Sequence, residues 1–197
     1  MKNKGELIII EGVDGSGKTT LAKELSEIFG GLYMKEPLER YKKMLSTTYD
    51  PVEQLMLMWA SRRKVFELIK ENLKKSDYIF LDRSFVSTMI YQERAIKKLF
   101  GNFKEFLEKD KIIRYNIEPT LIIILEIKNI SVIKERFKKE NKAINVFEDE
   151  RMLRKNIIKY QRIIKILRAI YGNKLLVINA EKDLKQVLDE ILSCLSC

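Results

Sequence analysis

Gly12-Val13-Asp14-Gly15-Ser16-Gly17-Lys18-Thr19 is a complete G-x-x-x-x-G-K-T phosphate loop. It stands between an apolar run, Leu7-Ile8-Ile9-Ile10, and a helix-like stretch from Thr20 to Phe29, the strand–loop–helix setting that gives such a loop its meaning. The glycines let successive backbone N–H groups turn toward one point, and the start of the following helix adds partial positive charge there. Lys18 is spaced to reach the outer phosphates, and the Thr19 hydroxyl to hold Mg²⁺. A nucleoside triphosphate is the expected ligand.

Outward from this loop, strand-like runs alternate with helix-like stretches. Strands are expected at 6–11, 32–35, 78–82, 120–127 and 174–179, and helices at about 18–29, 51–75, 85–98, 131–139, 148–171 and 183–195. Several strands are nearly continuous Ile, Leu and Phe, as expected when both faces of a sheet are covered, which argues for a parallel sheet between helices. The fold class is therefore three-layer α/β, read as a single domain over 1–197. Lys138-Lys139-Glu140-Asn141-Lys142 breaks the pattern as a polar stretch without obvious caps and is a candidate mobile loop.

Composition narrows the chemistry. The formal charge of +10 is spread along the chain among acidic residues and carries no nucleic-acid motif, so phosphates on small molecules are the expected partners, not nucleic acid. Apolar runs such as Leu121 to Leu125 are too short to span a bilayer, and no membrane partner is expected; a cytoplasmic location follows by default. The chain has no histidine, which excludes a Ser-His-Asp triad, a histidine metal site and a histidine general base. Cys194 and Cys197 form a C-x-x-C without a second ligand pair and are read as a helix end.

A second signature begins where the strand Tyr78-Ile79-Phe80-Leu81 meets Asp82-Arg83 and continues through Ser87, Thr88, Tyr91 and Gln92. A carboxylate at the carboxyl end of a strand beside the phosphate loop is placed to organise Mg²⁺, making Asp82 and Thr19 the candidate metal residues. Arg83 would offer a forked donor to a second phosphate. Trp59 and Arg63, four residues apart, share a helical face that could stack on a pyrimidine and donate to its carbonyl, or alternatively pack with Leu55, Met56 and Met58 in the core.

Together these segments resemble thymidylate kinases: Glu11 through Thr20 matches the family's Glu-Gly-x-Asp-Gly-x-Gly-Lys-Thr-Thr loop, and Asp82, Arg83, Ser87, Tyr91 and Gln92 match its Asp-Arg-Tyr-x-x-Ser-x-x-x-Tyr-Gln segment. Trp59 to Arg63 is similar to the family's Phe-x-x-x-Arg, Glu36-Pro37 to its Arg-Glu-Pro turn, and Phe147-Glu148 to its Phe-Glu after a lid. The resemblance implies a P-loop NTPase fold with a five-stranded parallel sheet in the order 2-3-1-4-5, a lid at about 136–147, and transfer of the γ-phosphoryl of ATP to dTMP with Mg²⁺ as cofactor in a homodimer. It implies ATP contacts from Gly12, Val13, Asp14, Gly15, Ser16, Gly17, Lys18, Thr19 and Thr20, and dTMP contacts from Asp14, Glu36, Pro37, Trp59, Arg63, Arg83, Ser87, Thr88, Tyr91 and Gln92. Asp14 would meet the 3′-hydroxyl, and Tyr91 would crowd the 2′ position and favour deoxyribose.

Phosphoryl transfer between nucleotides demands little proton chemistry, so catalysis falls to positioning and charge neutralisation by Lys18, Arg83, Asp14 and one further cation. Family members carry that cation in the phosphate loop or in the lid. Gly15 occupies the loop position, leaving Arg136, Lys138, Lys139 and Lys142, of which Arg136 suits the spread charge best. The chain departs from the family pattern at Ser84, which replaces a Tyr, at Lys35, which replaces an Arg, and at Val146, where an Arg often stands; Lys35 or Arg40 would supply a second phosphate contact. Asp82-Arg83-Ser84 also fits a deoxynucleoside kinase, whose neutral acceptor hydroxyl needs a carboxylate base, and Glu36 is the candidate. A nucleotide-driven switch is the alternative from another class, but no water-positioning residue stands out for it.

Overall fold

The computed structural model describes residues 5–139 and 150–195. In chain order the elements are β1 (Glu6–Gly12), α1 (Lys18–Ile28), β2 (Leu32–Lys35), α2 (Glu39–Thr47), α3 (Pro51–Asn72), β3 (Tyr78–Asp82), α4 (Phe85–Tyr91), α5 (Glu93–Phe100), α6 (Phe103–Ile113), β4 (Leu121–Glu126), α7 (Ile130–Lys139), α8 (Glu150–Tyr171), β5 (Leu175–Asn179) and α9 (Leu184–Leu195). The strands form one five-stranded sheet in the order β2-β3-β1-β4-β5, with every pairing parallel. That is the expected order.

β1 lies at the centre because both its neighbours need it: Ile10 pairs with Asp82 on β3 and with Ile123 on β4. Ile8, Ile9 and Ile10 are fully buried, which requires cover on both faces of the sheet. α1 packs on β1, β2 and β3 and reaches α9, while α4 packs on β1 and α8 on β4 and β5. In a parallel sheet all strands end at one edge, so Gly12, Lys35, Asp82 and Asn179 bring the loops that follow them to a common rim.

Local chemistry sets the helix ends. Asp50 caps α3 by accepting from Val52 N and Glu53 N, with Pro51 just inside the helix; Asn102 caps α6 by accepting from Glu105 N, just after Gly101 at φ +71 closes α5. The expected helix 85–98 is in fact α4 and α5, broken at Gln92, whose backbone lies at φ −104, ψ 21. Two helices were not anticipated. α2 buries none of its residues, so no apolar stripe marks it, and α6 lies between the helix expected to end at 98 and the strand expected from 120, where the sequence pattern assigns no element. No helix among the described residues is long and apolar enough to cross a membrane.

Candidate active site

The loop after β1 curls over the start of α1, and its glycines adopt backbone conformations that side chains resist: Gly12 at φ +152, Gly15 at +79 and Gly17 at +94. Gly12 has a second constraint, since a Cβ there would lie 2.7 Å from the Leu125 carbonyl oxygen of the neighbouring strand. A cleft of about 690 Å³ opens above the loop, lined by Lys18, Thr19 and Thr20 on one side and by Arg136, Ala180 and Leu184 on another. The Lys18 ammonium is buried and folds back onto the Val13 carbonyl at 2.8 Å, 3.9 Å from Asp14. Burial, and then the Arg83 guanidinium, push it down to about 8, although Asp14, Asp82 and Glu11 pull the other way.

Facing this loop is a second cluster. The Arg83 guanidinium forms an ion pair with Asp14 and donates to Ser87 Oγ at 3.3 Å, and the Tyr91 hydroxyl donates to the other Asp14 oxygen at 2.8 Å. Burial pushes the Asp14 carboxyl up, but Arg83 and Lys18 outweigh it and hold the group below its ordinary value, ionised. Arg83 takes a left-handed backbone, φ +71, and its N–H donates to Ile10 O at 3.0 Å. Behind it sits Glu11, wholly buried, accepting from Ser84 N at 2.6 Å, Ser87 N at 3.1 Å, Ser87 Oγ at 2.6 Å and Tyr160 Oη at 3.4 Å. Ser84 gives α4 no side-chain cap, so Glu11 supplies one from β1 and fixes the turn that carries Arg83. In the sequence Glu11 stands out only as a motif residue and as a carboxylate ending an otherwise apolar strand.

Asp82, at the end of β3, is fully buried and accepts from Thr19 Oγ1 at 2.5 Å, Lys35 Nζ at 3.1 Å and Tyr33 Oη at 3.3 Å, all on Oδ2. Its Oδ1 has no hydrogen-bond partner among the described residues. A buried carboxylate with one orphaned oxygen, one hydroxyl away from the phosphate loop, fits a divalent cation, and Thr19 and Asp82 are the residues that could hold it.

The sequence model of the thymidylate kinase family matches residues 10–191. The chain belongs to that family. It is 30% identical over 202 residues to the thymidylate kinase of Brachyspira hyodysenteriae, covering 96% of this chain and 93% of the relative. It is 31% identical over 201 residues to the probable thymidylate kinase of Picrophilus torridus, covering 98% and 97%. The crystal structure of thymidylate kinase from Ehrlichia chaffeensis superposes with a TM-score of 0.68 at 22% identity, covering 97% of this chain and 98% of that one, a likeness of fold.

Thymidylate kinase motifs and geometry disagree at one place. Arg63 is not brought to the cleft: its guanidinium lies 3.6 Å from the Tyr115 ring centroid and donates to Ile112 O at 3.2 Å. Trp59, on the same face, donates to Asp110 at 3.0 Å and packs against Phe100 and Phe106, with ring centroids 5.4 and 6.0 Å away. The Trp59 ring is thus packed by α5 and α6 against the core, as the core alternative expects of it, while Arg63 and Met56 stay exposed. The neighbouring Arg62 turns the other way. Fully buried, it donates to Glu36 at 3.0 Å, Asp110 at 2.6 Å and Thr88 Oγ1 at 2.8 Å, tying α3 to the Glu36-Pro37 turn and to the helix behind Arg83. Burial lifts the Glu36 carboxyl to about 7 despite Arg62 beside it, and its Oε1 lacks a partner among the described residues. Arg40 is turned onto the Tyr41 ring, 4.7 Å away, and Gln92 caps the end of α4.

α7 presses on the phosphate loop. A Cβ on Gly15 would come within 2.8 Å of Ile133 and 3.1 Å of Phe137, which explains why that position is bare. Arg136 spans the cleft, donating to Gly15 O at 3.2 Å and Ala180 O at 2.6 Å. Lys138 and Lys139 are exposed at the end of α7. Lys142, Val146, Phe147 and Glu148, with most of the lid and Cys197, lie outside the described residues; Cys194 is exposed on α9. The loop 180–184 as a wall of the donor cleft was not anticipated, because it carries no motif.

Proposed function

We propose that this chain transfers the γ-phosphoryl group of ATP to dTMP, giving dTDP and ADP. The observation that carries this reading is the pair of facing groups, the phosphate loop with Lys18 on one side and Arg83 with Tyr91 on the other, both bonded to the loop's own Asp14, in a chain of the thymidylate kinase family. Backbone amides of the loop and Lys18 would receive the donor phosphates. Arg136, anchored on both walls of the cleft, would lie over them. Arg83 would give up part of its contact with Asp14 to grip the acceptor phosphate, freeing that carboxylate to accept a sugar hydroxyl. Tyr91, held by Asp14, would stand against the sugar and disfavour a 2′-hydroxyl. Thr19 and Asp82 would hold Mg²⁺, whose chemistry there is to neutralise phosphate charge. Among the described residues no cluster of three carboxylates or cysteines could cage a metal, so phosphate and water would complete the coordination.

A nucleoside 5′-hydroxyl acceptor is disfavoured by the same geometry. Glu36, the one carboxylate suggested as its base, is buried and engaged by Arg62. The deciding experiment offers ATP and Mg²⁺ with thymidine, dTMP, dUMP, CMP, AMP or no acceptor and measures ADP. Strong stimulation by dTMP is expected; stimulation by thymidine, or ADP release without acceptor, would overturn the assignment.

The depressed Lys18 gives a pH signature with a definite sign. Its ammonium is charged below about 8 and neutral above it, and only the charged form attracts phosphate. In the free enzyme kcat/KM for ATP should therefore fall as pH rises through that value. Once phosphates surround the ammonium its proton is held more tightly, so kcat at saturating substrates should stay level to higher pH. A kcat/KM profile that stays flat across the same range would show that Lys18 is not the group limiting ATP capture.

A further inference from the structure

Lys35 contacts both residues assigned to the metal, and the sequence motif gave no hint of it. Its Nζ is 3.1 Å from Asp82 Oδ2 and 3.1 Å from Thr19 Oγ1. The Thr19 hydroxyl gives its proton to Asp82 at 2.5 Å, so the accepting side of that oxygen is turned to the ammonium. Asp82 is wholly buried, whereas the Lys35 side chain is 47% exposed on a flexible stem. A divalent ion held by Thr19 and Asp82 would draw on the same two side chains that the ammonium contacts. The hydroxyl oxygen has two lone pairs, so it is charge and not valence that sets the two cations against each other: an ammonium and a divalent ion both held at Thr19 and Asp82 would lie within a few ångströms and repel.

We propose that the Lys35 ammonium is a resident counter-ion of the Asp82–Thr19 pair which the divalent metal displaces, so that metal binds poorly until a nucleotide brings phosphate charge with it. The inference rests on the reading of Thr19 and Asp82 as the metal-holding pair. Without Lys35 the empty site would leave a buried carboxylate with only hydroxyl donors, open to any divalent ion in solution. With Lys35 in place the charge is balanced in the empty state, and the phosphate oxygens of an incoming triphosphate tip the exchange. The compact ammonium of a lysine suits this role, since it makes point contacts that can be released without breaking a bidentate fork.

The test uses Mn²⁺ as the probe and needs no turnover: free hexaaqua Mn²⁺ is followed by electron paramagnetic resonance as it is titrated into the purified, nucleotide-free chain. Wild type is expected to bind weakly, and Lys35→Met to bind about tenfold tighter, because one opposing charge has been removed from contact with the site. Lys35→Arg keeps the charge and should bind as weakly as wild type; with ADP present, wild type and Lys35→Met should converge. Adding Asp82→Asn to Lys35→Met should abolish the tight binding. If Lys35→Met binds bare Mn²⁺ no tighter than wild type, or if Lys35→Arg tightens equally, the counter-ion proposal is overturned. Tight binding that survives Asp82→Asn would instead place the ion elsewhere and overturn the metal-site reading, and the exchange with it.

Discussion

Arg62→Ala should cripple the protein while Arg63→Ala, one residue away, should scarcely be felt. Arg62 is fully buried and is the shared partner of Glu36 and Asp110, so truncating it strands carboxylates in the interior, at a cost of about 3–5 kcal/mol. It also frees Thr88 and the Glu36-Pro37 turn, which the family resemblance assigns to dTMP binding. Arg62→Lys separates the two consequences. The charge remains and most of the stability with it, but an ammonium cannot serve Glu36, Asp110 and Thr88 together, so KM for dTMP should still rise, by about tenfold or more, with KM for ATP little changed. Arg63→Ala removes a surface guanidinium from the Tyr115 ring and one bond to Ile112 O, worth about 1 kcal/mol or less, and should leave both KM values alone. Thermal unfolding and steady-state kinetics on the three variants check this directly. A rise in KM for dTMP in Arg63→Ala equal to that in Arg62→Lys would restore the base-binding role to the Trp59–Arg63 face.

The confusion between these arginines shows which part of the site a sequence discloses. The phosphate loop was legible because its chemistry is local: Gly12, Gly15 and Gly17 set the backbone turn, and Lys18 and Thr19 open the helix that follows it. The sheet order followed from the family resemblance, whereas the ion pair between Asp14 and Arg83 is disclosed only by the fold, which sets the loops after two neighbouring strands side by side. Helical periodicity correctly placed Trp59 and Arg63 on one face, but periodicity does not say what that face meets. With α6 unrecognised, the sequence offered that face either its own helix's stripe of Leu55, Met56 and Met58 or a nucleotide base, and not the neighbour that meets it. Phe106 and Tyr115, from α6 and the turn after it, are what cover it. Glu11, Arg62 and Lys35 were obscured for a related reason, since each acts through contacts distant in sequence: Glu11 with Ser84 and Ser87, Arg62 with Asp110, Lys35 with Thr19 and Asp82. A carboxylate in a buried strand and an arginine beside core residues are recognisable anomalies, yet only the fold says which neighbours resolve them.

Arg83 carries two jobs that substitution can pull apart. Its side chain pairs with Asp14 and faces the cleft, and its backbone lies in the left-handed region at φ +71, held by the Ile10 carbonyl and by the Glu11 cap on the next residue. Loss of the guanidinium removes the acceptor-phosphate contact from both alanine and glycine variants, so both should lose kcat/KM for dTMP by roughly a thousandfold while ATP binding is largely kept. The two should differ in stability. Alanine at a positive φ retains the steric conflict that glycine lacks, so Arg83→Gly should unfold at a temperature about 2–4 °C above Arg83→Ala, corresponding to roughly 1 kcal/mol. Equal losses of activity with unequal melting temperatures would mean that the chemistry depends on the guanidinium and the strain on the backbone. If Arg83→Gly instead recovered substantial activity relative to Arg83→Ala, the turn geometry would matter more than the charge, and the grip on the acceptor phosphate would have to come from another cation in the cleft, Lys35 first among them.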